Sequence, residues 1–147
     1  MKVYFDTNIL IAALQPDHVH HGRCFTALVE VREGAIEGWF SAQGLTELYS
    51  VLTRAPWRTA VGPREIYGVI RQSIVPIFNI VDVSKESYFS ALRVCSNAGW
   101  KGGRIHDAVH IQAAAQAGCD LIYTYDVEHF QALAPEWGDR IQGPPRG

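Results

Sequence analysis

The sequence predicts an α/β fold, a three-layer sandwich in which helices flank a central parallel sheet. Three observations lead there. Short apolar runs of β character alternate with longer runs of helical spacing, the pattern of parallel strands joined by right-handed crossovers. At 147 residues and 48% hydrophobic, the chain can bury about two-thirds of its unfolded surface, enough for one true core. No Ser/Gly linker or composition break divides it, so residues 1–142 read as a single domain with 143–147 as a frayed Gly/Pro tail.

Each element follows from local chemistry. Residues 2–5 form a short β-type run ending at Asp6, and residues 7–14 are apolar at helical density. After the turn at Pro16 and Asp17, residues 20–33 place Cys24, Phe25, Leu28, Val29 and Arg32 at helical spacing and stop at Gly34. Residues 37–42 read as a second strand. Residues 43–54 read as a helix with Leu45, Leu48, Tyr49 and Leu52 on one stripe. A loop spans 55–62. Pro63 suits the first turn of a helix reaching about Ser73, and Pro76 closes it. Residues 78–83 are β-like, Ser84 is an N-cap for a helix reaching about Ala98, and Gly99 ends that helix. A further helix covers 104–117 before Gly118, and a last clear strand covers 121–125 before Asp126. There is no internal repeat.

Composition narrows the function classes. No apolar run approaches the roughly 20 residues of a membrane helix, and the first hydrophobic stretch is broken by Asp6, Thr7 and Asn8. The expectation is a soluble cytoplasmic protein without an export signal. Cys24, Cys95 and Cys119 form no CxxC and are odd in number, which suits a reducing compartment. A net charge of −2 argues at first against a nucleic-acid partner. If four of the fifteen acids hold cations, however, thirteen positive charges face eleven negative ones, and ten of the thirteen are arginine. The metal-loaded charge is the one a phosphate meets.

In an open α/β sheet, ligands bind beyond the carboxyl ends of the strands where strand order reverses. Asp6 follows the first strand and Asp126 the last clear one, so both belong to one rim. Either could equally be an N-cap. Asp107 shares a helix face with Ile111 and Ala114, where a lone carboxylate is costly, although a first-turn cap role is open to it. Glu47 lies opposite its helix's apolar stripe, where solvent is the default.

Taken in order, Val3-Tyr4-Phe5-Asp6-Thr7-Asn8, Leu45-Thr46-Glu47-Leu48, Ile105 to Ala115 around Asp107, and Tyr123-Thr124-Tyr125-Asp126 resemble the PIN-domain nucleases, with a length similar to the VapC-type toxins of bacterial toxin–antitoxin pairs. The resemblance implies a sheet of about five strands and a metal-dependent endoribonuclease. It further implies an acidic quartet of Asp6, Glu47, Asp107 and Asp126 that is both catalytic and metal-ligating, with Asn8 and Thr124 as polar support. It also implies a homodimer, an antitoxin partner, and products with 5′-phosphate and 3′-hydroxyl ends. One departure is His129, where many relatives carry a further acid before the phenylalanine.

The chemistry agrees on its own terms. Four carboxylates in one pocket repel unless a hard cation offsets them, and all-oxygen ligands favour Mg²⁺ or Mn²⁺. Such an ion activates water against a phosphodiester. For RNA binding, Lys101-Gly102-Gly103-Arg104 leads into the Asp107 helix and can face phosphate, or can be a plain surface turn. Arg54, Trp57 and Arg58 combine guanidiniums with an aromatic face suited to an unpaired base, though Trp57 can equally cover the core or join an interface. Three rival readings stand beside this one. They are a zinc hydrolase built on His106 and His110 with His18, His20 or His21 as third ligand, a receiver-like Mg²⁺-binding module, and a housekeeping PIN nuclease in RNA processing.

Overall fold

The computed structural model describes residues 1–57 and 59–146. Among these, β1 (Lys2–Phe5), β2 (Glu37–Ser41), β3 (Asn79–Val81), β4 (Leu121–Tyr123) and β5 (Ile141–Gln142) form one all-parallel sheet in the order β3-β2-β1-β4-β5. The helices are α1 (Thr7–Leu14), α2 (His21–Arg32), α3 (Ala42–Arg54), α4 (Pro63–Val69), α5 (Lys85–Ala98), α6 (Arg104–Gln116) and α7 (Val127–Leu133). From β1 the chain builds outward to β2 and β3, then returns to the opposite side of β1 to lay down β4 and β5. The reversal therefore falls between β1 and β4.

Alternation along β1 creates the layers. Val3 and Phe5 enter a core shared with α1, α2, α3 and α4, while Tyr4 enters a second core with α5, α6 and α7. A central parallel strand is covered on both faces, which is why Val-Tyr-Phe reads as a continuous apolar run. Ser41 caps α3 by accepting from Gly44 N at 2.9 Å, so β2 ends one residue earlier than its β pattern suggests. Ser84 caps α5 in the same way from Ser87 N, and Gly99 closes that helix in the left-handed region at φ 73°.

Several boundaries differ from the sequence reading. The helix expected across 63–73 is α4 followed by a π-helical turn over Ile70–Ile74, where Val75 N reaches back to Ile70 O. The wider turn lets both Ile70 and Ile74 bury. β3 and β4 are each three residues long, so Thr124 and Tyr125 lie beyond the strand they were expected to continue. α7, the 3₁₀ segment Pro135–Arg140 and β5 had no periodic signature: a two-residue strand is too short to show one.

Gly44 is the tight point of the α3–β2 joint, because an added Cβ would be driven into the Phe40 ring, itself fully buried. A helical Gly→Ala change ordinarily gains up to about 1 kcal/mol, but overpacking a core costs about 1–3 kcal/mol. The sign is decided by Phe40. Gly44→Ala is expected to lose about 1–2 kcal/mol and lower Tm by about 3–6 °C, measured by thermal melting; an unchanged or raised Tm contradicts the packing account.

Candidate active site

Phe5 pairs with Tyr123 across the β1–β4 ladder, and Asp6 N donates to Tyr123 O at 2.9 Å, so both chains leave the sheet side by side. Asp6 occupies the N-cap of α1 and Asp126 that of α7, yet neither side chain makes a cap hydrogen bond. They are tied through one hydroxyl instead. Thr124 Oγ1 donates to Asp6 Oδ2 at 2.9 Å and accepts from Asp126 N at 3.1 Å. Asn8 Nδ2 reaches Asp126 Oδ2 at 3.5 Å. Asp6 and Thr124 are buried, while Asp126 faces solvent.

Two histidines bring in the remaining acids. His110, 2% exposed, places Nε2 3.1 Å from Glu47 Oε1 and 3.9 Å from Asp6 Oδ1. It is held by the Tyr4 hydroxyl 2.6 Å from Nδ1 and by Thr7 Oγ1 3.1 Å from Nε2. Glu47 is thus not a purely solvated residue: its Oε1 is buried, and its approach to His110 meets the distance but not the angle of a hydrogen bond. Asp107, in the first turn of α6, sets Oδ2 2.9 Å from His129 Nδ1. His129 packs edge-on against Trp100 with ring centroids 4.9 Å apart.

Electrostatics follow from this crowding. Burial lifts the Asp6 carboxyl to about 6, with Asp107 and Asp126 adding to the rise and His110 and Thr124 opposing it. Burial also raises Asp107, against the pull of His129 and His110. His110 is pushed down by burial but raised overall by its contact with Glu47 and by the charges of Asp6, Glu47 and Asp107. Asp6 and Asp107 therefore resist full ionisation together.

No trio of His, Cys, Asp or Glu side chains among the described residues forms a finished cation cage. The donor chemistry nevertheless fits a hard divalent ion: four carboxylates border one rim, and Glu47 Oε1 is buried without a hydrogen-bond partner. The zinc alternative fares worse. His106 Nδ1 lies against Gln43, His110 is engaged by Tyr4 and Thr7, His21 Nδ1 lies 2.9 Å from Ala12 O, and His18 and His20 pack on Tyr125.

The expected substrate residues are dispersed. Arg104 lines a cleft of about 400 Å³ with Tyr125, Asp126 and His129, its guanidinium 5.3 Å from the Trp100 ring centroid. Lys101 is exposed three residues earlier. Arg54 is exposed at the end of α3, with no contact that joins it to the acids among the described residues. Trp57 is half-buried, donates Nε1 to Leu52 O at 2.8 Å and packs against the first core, while Arg58 lies outside the described residues. What the sequence reading missed is His110 as the centre of the site. Its place one turn after Asp107, on the same face of α6, was the available signal.

Comparisons with known proteins extend this picture. The PIN domain family matches residues 3–134. A comparison with curated proteins found no relative. VapC20 of Mycobacterium tuberculosis, a sarcin–ricin loop cleaving toxin, superimposes with a TM-score of 0.71 at 15% identity over 88% of this chain and 94% of that one. FitAcB of Neisseria gonorrhoeae gives 0.66 at 20% identity over 96% of each chain. VapBC2 of Rickettsia felis, solved with a DNA fragment from its promoter, gives 0.65 at 16% identity over 91% and 94%. These structures share the fold. The match over residues 3–134 places this chain in the PIN domain family.

Proposed function

We propose that this protein is an endoribonuclease dependent on Mg²⁺ or Mn²⁺, the toxin of a toxin–antitoxin pair, which hydrolyses RNA phosphodiesters with water as nucleophile. The observation that carries the reading is the linkage of acids from three separate segments at the β1–β4 rim, Asp6 to Asp126 through Thr124 and Asp6 to Glu47 through His110, with Asp107 near enough for its charge to raise the Asp6 carboxyl. Asp6, Glu47, Asp107 and Asp126 would hold the cation. When bound, it polarises the attacking water and offsets charge on the leaving oxygen.

The chain's own residues prepare for that. Thr124 fixes the Asp6 carboxylate by donating to Oδ2, and Asn8 steadies Asp126. His110 and His129 keep Glu47 and Asp107 turned toward the rim. Arg104, beside Asp126 in the open cleft, is placed to take a phosphate oxygen. With water attacking, the ribose 2′-hydroxyl has no part and no 2′,3′-cyclic phosphate forms; the family resemblance makes the 3′ oxygen the leaving group, giving 5′-phosphate and 3′-hydroxyl ends. FitAcB and VapBC2 supply the analogy for an antitoxin partner, and the family resemblance supplies that for a homodimer.

Purified protein incubated with total RNA and Mn²⁺ is expected to cleave it, and EDTA to stop it. Thr124→Val should lose about 10–100-fold, the usual cost of removing a group that orients a ligand, and Asp6→Asn and Asp107→Asn more. Cleavage by Asp6→Asn and Asp107→Asn equal to wild type refutes the assignment.

A stability measurement tests the same site without turnover. Because the folded Asp6 pKa, about 6, exceeds the unfolded value of 3.8, the folded state holds this proton more tightly than the unfolded chain does. Its stabilising effect is complete below pH about 4 and lost as pH rises through about 6. In EDTA, wild type should lose up to about 3 kcal/mol over that window, and Asp6→Asn should lose measurably less. Adding Mn²⁺ at pH 7 should raise the wild-type Tm and leave that of Asp6→Asn nearly unmoved. Identical pH profiles for the two proteins would show that Asp6 is not the strained group.

A further inference from the structure

A second basic cleft lies near Tyr125, among residues that contact its ring. It has a volume of about 520 Å³ and is lined by Val19, His20, Gly22, Arg23, Thr26 and Arg146, with no carboxylate among them. Two of its lining residues touch the ring of the residue that precedes Asp126. Tyr125 precedes Asp126, His20 stacks on the Tyr125 ring with centroids 4.3 Å apart, and the Arg23 guanidinium carbon lies 5.9 Å from the same ring centroid.

Arg23 is incompletely satisfied. Its Nε is buried without a hydrogen-bond partner, and no carboxylate among the described residues pairs with it. A buried guanidinium nitrogen without an acceptor is costly in a folded protein. The first turn of the twelve-residue α2 forms the adjoining wall: His20 at the N-cap makes no side-chain cap bond, and Gly22 leaves its backbone open, since a Cβ there would meet nothing. An oxyanion entering the cleft would find a fork-shaped donor and a helix N-terminus together.

We propose that this cleft is a second phosphate subsite, in which Arg23, with Arg146 lining the same cleft, takes a backbone phosphate of the RNA strand at least one nucleotide away from the scissile bond. The inference rests on the nuclease reading and adds a path to it. The strand passes Asp126, with Arg104 in the cleft that Asp126 lines and Arg23 in the cleft near it. Neither arginine of the subsite touches the four acids, so the subsite contributes to holding the strand and not to the chemical step.

The test uses the full chain in EDTA, where the strand is bound but not cut. A fluorescent single-stranded RNA oligonucleotide is titrated by anisotropy at several salt concentrations. Arg23→Met is expected to weaken binding about tenfold, the value of one hydrogen bond to a charged group. It should also flatten the salt dependence by about 0.7 in log–log slope, the share of one single-strand phosphate contact. Arg23→Lys should recover part of both. Val19 is 86% exposed at the lip, so its replacement leaves the core untouched. Val19→Glu should weaken binding about two- to fivefold and Val19→Lys strengthen it, and these two variants decide the matter if Arg23→Met folds poorly.

Under Mn²⁺, Arg23→Met should raise KM while kcat stays within about twofold, a split that a general loss of structure does not produce. Wild type that binds and cleaves RNA, with binding unchanged in Arg23→Met and both Val19 variants, overturns the subsite and leaves the nuclease reading standing. Wild type that neither binds RNA nor cleaves it removes both. Retained RNA binding by Val19→Glu, with loss of an acidic protein that copurifies with wild type, assigns the cleft to a protein partner and also overturns the proposal.

Discussion

The pairing of β1 with β4 is the constraint on which the rest of the molecule depends. Parallel hydrogen bonding in the Phe5–Tyr123 register forces two chain segments, 118 residues apart at Asp6 and Thr124, to leave the sheet together. Neither Asp6 nor Asp126 caps its own helix through its side chain. Asp6 turns to the Thr124 hydroxyl, and the same oxygen takes the Asp126 backbone N–H. A shift of one residue in that ladder would point Tyr4 into the wrong core and separate the pair, because side chains alternate between faces along a strand.

Concentrating carboxylates where one is fully buried is unfavourable, and this fold offsets the cost with imidazole. His110 sits between Glu47 and Asp6, secured from β1 by Tyr4 and from α1 by Thr7. His129 does the same for Asp107 from α7. The site therefore draws on β1, α1, α3, α6, β4 and α7, and its shape is a property of how both layers close on the sheet. The histidine that breaks the expected acidic pattern near the end of the chain is thereby accounted for: in place of another negative charge, it offers a partner to one already there.

The modest net charge of −2 conceals a local asymmetry. Arg104 lies in the cleft lined by Tyr125 and Asp126, and Arg23 and Arg146 line a second cleft whose Arg23 lies 5.9 Å from the Tyr125 ring centroid. A polyanion responds to the field along its path, and that field is set by where arginines are placed around the rim rather than by the sum over the chain.

Most of the framework was legible in the residues. Alternating strands and helices, the caps at Ser84 and Gly99, and the rule that parallel sheets work at their carboxyl edge placed Asp6 and Asp126 on one rim, since each is a local consequence of backbone chemistry and hydrophobic period. Glu47 was not legible by period, because a carboxylate opposite an apolar stripe reads as solvated until a second layer arrives to bury one of its oxygens. His110 looked like a zinc ligand for a related reason: whether an imidazole meets Tyr4, Thr7 and Glu47 depends on the approach of α6 to β1, α1 and α3, contacts more than sixty residues apart in the chain. The two-residue β5 and the cleft beside α2 were likewise invisible. Sequence by itself determined which elements form and which ends carry acid, because those are short-range effects. Tertiary closure alone decided which acid leans on which histidine and which arginine is left without an acceptor, because those outcomes depend on distances that no local pattern encodes.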